Sequence, residues 1–183
     1  MSILVLGLSG SGKSSVCDLL SNALSFSVIN LGRIILAAPG CTPIPIQRKL
    51  TEREVAEQYD LSQLLIDAHA IFYNELGEIE YGFDSDDLKI LHVEMILLIE
   101  TSPEVIIKRR KNDQTIRPDR RVESVSDINH MKKKQQRFVE ALVTENKIPL
   151  YVIDNSTDKL EHILNHVVNI IKQSAASKGG DIN

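Results

Sequence analysis

Several things are scarce in this 183-residue chain, and each scarcity removes a class of function. Cysteine occurs only as Cys17 and Cys41, without metal-ligand spacing and with no support for a disulfide, so two reduced thiols are expected. No apolar run approaches the roughly 20 residues that span a bilayer. The apolar stretch after Met1 lacks a basic flank and is too short for a signal peptide, so a cytoplasmic protein with no membrane partner is predicted. Positive charge is not in excess. The formal net charge is -4, so no global field draws in a polyanion, and general nucleic-acid binding is not expected. There is neither an internal repeat nor an evident linker.

What remains is an ordinary globular composition, with 43% hydrophobic and 25% charged residues, long enough for one domain with its own core. Short apolar runs alternate with helical patterns. Ile3 to Leu6, Phe26 to Asn30, "QLLIDA" (63–68), "MILLIE" (95–100) and "PLYVID" (149–154) read as five strands. Between the first two, Val16, Cys17, Leu19, Leu20, Ala23 and Leu24 recur at helical spacing. A short helix is predicted from about Arg33 to Ala38, then an irregular "CTPIPIQRKL" in which Pro43 and Pro45 forbid regular helix. Thr51 with Glu54 forms a capping box, and Leu50 with Val55 a staple, for a helix to about Gln58.

The stretch from the third strand to about Asp87 reads as irregular. Thr101 and Glu104 are expected to cap a helix with Pro103 in its first turn. "RRKNDQTIRPDRRVES" has no apolar periodicity and reads as a solvated loop or lid. Ser124 and Asp127 open a long helix with Ile128, Met131, Phe138, Val139 and Leu142 on one face. Leu160, Ile163, Leu164, Val167, Val168 and Ile171 make a last amphipathic helix. From Ser174 to Asn183 the composition is that of a disordered tail. Continuous apolar strands separated by helices predict one α/β domain over residues 1–173, with a parallel sheet covered on both faces.

The chemistry lies in "SILVLGLSGSGKSSVCDLL", residues 2–20. Gly7, Gly12, Lys13 and Ser14 satisfy G-x-x-x-x-G-K-[ST], between a buried strand and a helix as that motif requires. Glycines let successive backbone N–H groups converge on phosphate oxygens, and the following helix adds its N-terminal dipole. Lys13 adds a point charge and the Ser14 hydroxyl can ligate Mg²⁺. The residues predicted to hold ATP are therefore Gly7, Leu8, Ser9, Gly10, Ser11, Gly12, Lys13, Ser14 and Ser15. A P-loop also needs a carboxylate near the metal, and three strand ends offer one: Asp67, Glu100 and Asp154. Spacing alone does not separate them. Arg109, Arg110, Arg117, Arg120 and Arg121 cluster after the fourth strand, and with a P-loop present they read as a cationic lid over about residues 111–125.

Taken together, "GLSGSGKSS", "VINLGRIIL", "QRKL", "LLIDAHA", "ILLIETSPEVIIKRR" and "DQTIRPDRRVESVSDI" resemble the archaeal-type adenylate kinases over about residues 1–172. The resemblance implies a P-loop nucleoside-monophosphate kinase fold: a three-layer α/β/α domain with a parallel five-stranded sheet and a short arginine-rich lid. It puts the third strand beside the P-loop strand, which favours Asp67 with Ser14 as the Mg²⁺ side. It implies transfer of the ATP γ-phosphate to AMP, with Lys13, Arg109, Arg117 and Arg120 as catalytic cations. The acceptor segment spans about residues 31–62, with Gly32, Arg33, Arg48 and His69 as acceptor-binding residues and the "YGF" segment around Gly82 near the same pocket. Between Gly32 and Asp67 the chain is shorter than is usual in that family, and Pro118 splits the lid arginines. The resemblance also points to a homo-oligomer. Two other functions fit the same P-loop. One is a small-molecule kinase with a hydroxyl acceptor, where Asp67 serves as base; the other is an adenylate-kinase-like ATPase acting as an assembly or regulatory factor.

Overall fold

The structure, a computed structural model, describes residues 1–32, 52–73, 78–113, 123–157 and 160–179. In chain order they form β1 (Ser2–Leu6), α1 (Lys13–Leu24), β2 (Ser27–Asn30), α2 (residues 52–58), β3 (Leu64–Asp67), β4 (Ile71–Tyr73), β5 (Ile79–Tyr81) and α3 (Ser85–Ile90). There follow β6 (Val93–Glu100), α4 (Pro103–Asp113), α5 (Val125–Asn146), β7 (Leu150–Asp154) and α6 (Leu160–Gly179).

The five apolar runs pair as one parallel sheet in the order β2-β3-β1-β6-β7. Their continuous apolar character follows from burial on both faces. Alternate residues of β1 go to opposite sides, as a period of two requires. Ile3 and Val5 join Leu65, Leu97 and Ile153 against Val16 and Leu20 of α1 and Val167 and Ile171 of α6. Leu4 and Leu6 join Ile66, Ile96 and Leu98 against Leu88 of α3 and Val139 and Leu142 of α5. The expected three-layer α/β/α architecture is thus present, with β1 at the middle of the sheet. Its C-terminal end delivers the glycine loop to the centre of the edge where open α/β sheets bind ligands.

Several local expectations are corrected. The stretch after β3 is not irregular: β4 and β5 form an antiparallel hairpin, and Asp84 caps α3 through a reciprocal capping box with Asp87. The hairpin escapes a periodicity reading because its strands are three residues each. Thr101 does not cap α4. Its hydroxyl is within reach of the carbonyls of Ser11, Glu100 and Asn155, so it donates to backbone oxygens instead of accepting from helix N–H groups. Helix α4 runs to Asp113, which moves Arg109 and Arg110 from the expected loop onto a helix. Helix α6 continues to Gly179, into the stretch whose composition reads as disordered. Ala175 and Ala176 carry the highest intrinsic helix propensity and extend a helix already held by its apolar face. The Ser124–Asp127 capping box of α5 forms as expected. The Arg33–Ala38 helix, the Pro43–Pro45 segment, Cys41 and the Leu50 and Thr51 ends of the predicted staple and capping box lie outside the described residues.

Candidate active site

The loop from Gly7 to Gly12 links β1 to α1, and Gly12 is the N-cap of α1 with no side-chain capping bond. The first N–H groups of that helix therefore have no side-chain cap and face the loop. Gly12 has φ of 89°, a left-handed conformation that glycine adopts without penalty. A Cβ there would also stand 2.3 Å from Asn155 Nδ2. Lys13, 6% exposed, opens the helix, and its Nζ donates to the Leu8 carbonyl at 3.2 Å.

Of the three acidic strand ends, the fold singles out one. Strand β3 is hydrogen-bonded to β1 with Asp67 in register with Val5, and Asp67 is 3% exposed. Its Oδ2 accepts from Ser14 Oγ at 2.6 Å and from Asn30 Nδ2 at 2.9 Å. Glu100 instead pairs with Lys132 at 3.4 Å, and exposed Asp154 accepts from the backbone N–H of Ser156 at 2.9 Å. Asn30 escaped the sequence reading. Its signal is positional: it is the polar end of the strand that pairs with β3, directly in register with Asp67.

Ser14, Asn30 and Asp67 also line an open cleft of about 440 Å³, together with Asp18, Val28, Ile29 and Tyr59. Gly32 follows β2 near Asn30, where an added Cβ would meet Asn30 Oδ1 at 3.7 Å. His69 is set against the P-loop: its Nδ1 lies 3.2 Å from the Gly7 carbonyl and 3.4 Å from Lys13 Nζ. The "YGF" turn packs just behind it, with Gly82 N–H donating to the Ala70 carbonyl at 2.7 Å. A Cβ on Gly82 would lie 2.0 Å from the His69 carbonyl oxygen, so only glycine fits.

Arg109 and Arg110 both reach the P-loop backbone. Arg109 Nη1 donates to the Ser11 carbonyl at 3.2 Å, and Arg110 Nε to the Ser9 carbonyl at 2.9 Å. Arg110 is 6% exposed and pairs with Glu123, which lies just before α5. Arg33, Arg48, Arg117, Arg120 and Arg121 lie outside the described residues. Below the loop, Leu8 joins Ile71 of the hairpin, Ile106 of α4, and Ile128 and Met131 of α5 in a separate apolar cluster. Cys17, on the buried face of α1, is a free thiol. Burial pushes its pKa far above the ordinary thiol value, and the nearby Asp67 charge adds to the shift.

The sequence profile of the AAA domain family matches residues 6–129, from the end of β1 into α5. The chain belongs to the AAA domain family. Within that family it is adenylate-kinase-like, of the archaeal type, as the motifs led us to expect. It is 25% identical to an adenylate kinase of Pyrococcus horikoshii, with 92% of this chain and 94% of that protein covered. It is 21% identical to an adenylate kinase of Thermoplasma acidophilum, with 93% and 98% covered. Among solved structures, a shikimate kinase from Bacteroides thetaiotaomicron superposes with a TM-score of 0.63 at 13% identity, covering 94% of this chain and 98% of that one. A gluconokinase from Sinorhizobium meliloti 1021 gives 0.58 at 16% identity, covering 100% and 97%. At such identities these two share the fold alone. No helix among the described residues is long and apolar enough to cross a membrane.

Proposed function

We propose that this chain, an ATP-dependent phosphotransferase by family and fold, transfers the γ-phosphate of ATP to AMP. The observation that carries the reading is the Ser14–Asp67 pair, which joins the P-loop to an open cleft on the β2 side. The loop amides and Lys13 hold the donor phosphates on one flank of that pair. The cleft receives the acceptor on the other.

The chemistry demands little of the protein beyond placement and charge. The bond between the γ-phosphorus and the ADP oxygen breaks, and one to an AMP phosphate oxygen forms, leaving two molecules of ADP. The attacking oxygen is already ionised, so no general base is needed. Lys13, Arg109 of α4 and the lid arginines Arg117 and Arg120 follow the charge spread over the moving group. The hydroxyl of Ser14 and the carboxylate of Asp67 are hard oxygen donors of the kind that suits Mg²⁺. When bound with ATP, Mg²⁺ supplies neutralisation of the phosphate charge. Arg33 and Arg48 serve as acceptor cations, and a homo-oligomer is the assembly the family resemblance favours.

A coupled assay of ATP consumption across the nucleoside monophosphates tests the reading. AMP is expected to give the highest kcat/KM. A second reading, a hydroxyl acceptor with Asp67 as base, draws on the carboxylates Asp18 and Asp67 in the cleft wall. Turnover with small polyols or hydroxy acids but with no monophosphate would favour it. ATP hydrolysis that only a protein or RNA stimulates would favour the ATPase instead.

A further inference from the structure

One backbone carbonyl of the P-loop has three donor groups within hydrogen-bond distance. Ser11 O accepts from Asn155 Nδ2 at 2.8 Å and Arg109 Nη1 at 3.2 Å, and lies 3.0 Å from Thr101 Oγ1, whose one proton it shares with the Glu100 carbonyl at 2.8 Å. The donors come from three places: the residue after β7, the residue after β6, and α4. They are also tied to one another. The Asn155 N–H donates to the Glu100 carbonyl at 2.7 Å, and the Asn155 carbonyl accepts from Arg109 Nη2 at 3.3 Å. Thr101 and Asn155 are each 1% exposed, so these polar side chains are committed to the protein interior.

The consequence follows from peptide geometry. A trans peptide is planar, with its N–H antiparallel to its C=O. Anchoring Ser11 O at the β6 and β7 ends therefore aims the Gly12 N–H the opposite way. Asn155 also packs directly on Gly12, leaving no room for a Cβ, so this peptide plane has little freedom to rotate. Arg110 does the same for the preceding unit by holding Ser9 O, which fixes the Gly10 N–H.

We propose that Thr101 and Asn155 are positioning residues of the phosphate site, fixing the Ser11–Gly12 peptide so that the Gly12 N–H meets the donor's phosphate chain. The proposal rests on the nucleotide-binding reading given above but not on AMP as acceptor. It makes the ends of β6 and β7 part of the donor site although neither residue belongs to the P-loop motif. A dipole held in place in advance costs no reorganisation when the anion arrives, and that is the source of its effect.

The test uses the full chain, Mg²⁺ and an unreactive ATP analogue, with two readouts: calorimetric affinity and the amide proton shift of Gly12. In the wild type the Gly12 amide proton should move downfield on binding. Thr101→Val keeps the shape without the hydroxyl, and Asn155→Asp puts an acceptor where the donor was. Both are expected to bind about tenfold more weakly and to lose much of the Gly12 displacement, while Thr101→Ser restores both readouts. Melting curves report whether each variant is folded, and either of the two substitutions suffices. Wild-type affinity and Gly12 shift in folded Thr101→Val, or equal damage in Thr101→Ser, would overturn the proposal. If the wild type itself does not bind the analogue, the nucleotide reading fails and this proposal with it.

Discussion

Ser14 Oγ donates to Asp67 Oδ2 at 2.6 Å, across the junction of α1 and the strand beside the P-loop strand. That contact separates Asp67 from the other acidic strand ends, because Glu100 is engaged by Lys132 and Asp154 by its own turn. Asp67→Asn is expected to lower Mg²⁺-dependent activity on the order of 10–100-fold. Glu100→Gln and Asp154→Asn should stay within about twofold. Steady-state rates titrated with Mg²⁺ decide it. Greater sensitivity at Glu100 or Asp154 would refute the assignment.

Lys13 is the cation that the P-loop motif itself supplies, and its ammonium donates to Leu8 O at 3.2 Å. Lys13→Ala should cost on the order of 10²–10³ in kcat, as for loss of one preorganised donor to transition-state charge. The far-ultraviolet circular dichroism should not change. A folded variant with activity close to wild type would show that Lys13 does not serve the transferred phosphate.

The sheet and its helices are legible in the sequence because the strands are buried on both faces and read as unbroken apolar runs. The P-loop is legible because its chemistry needs fixed spacing. What escaped belongs to contacts between segments far apart in the chain. Asn155 meets the P-loop across 144 positions, and Asn30 meets Asp67 across 37, and no local pattern encodes either meeting. Thr101 shows the same limit. Its sequence neighbourhood reads as a cap, yet its hydroxyl faces backbone carbonyls, among them that of Ser11, 90 positions earlier. For His69, which we propose as an acceptor residue, the sequence likewise does not encode that the fold sets its ring nitrogen near Gly7 and Lys13.

Gly82 offers a test of stability at the back of the site. A methyl group there would lie 2.0 Å from the His69 carbonyl oxygen, which is backbone and has little room to give. Overpacking of this kind costs about 1–3 kcal/mol. For a chain of this size Gly82→Ala should lower Tm by roughly 3–10 °C. A melting temperature equal to wild type would mean that Gly82 and the His69 carbonyl do not approach so closely.

Cys17 should be inert. Its thiol is buried and its pKa is pushed far upward, first by desolvation and then by Asp67. The thiolate is the reactive form, so raising the pH from 7 to 9 should not speed labelling, as it would for a thiol of pKa about 8.5. In a Cys41→Ser background, a disulfide reagent should modify Cys17 only after unfolding. Rapid, pH-dependent labelling of the folded protein would contradict this packing of α1 against the sheet.

The proposed acceptor cleft supplies the most demanding prediction. Its described walls carry the carboxylates Asp18 and Asp67, the amide of Asn30, the hydroxyls of Ser14 and Tyr59, and two aliphatic side chains. No described lining residue is cationic, so a dianionic monophosphate cannot be held by these walls alone. Under the proposed reading the charge comes from the acceptor segment, where Arg33 and Arg48 are the arginines between β2 and α2. Of these, Arg48 is the one we assign to the AMP phosphate. A hydrogen bond to a charged group contributes about 1.5–3 kcal/mol. Arg48→Ala should therefore raise the AMP KM roughly tenfold to hundredfold while leaving the ATP KM nearly unchanged. Equal rises in both constants would point to a general loss of structure. If the AMP constant does not move, or if calorimetry detects no AMP binding to the wild type with the ATP analogue present, the cleft takes a different acceptor. The carboxylate-rich wall around Asp67 would then be read as the site of a hydroxyl group.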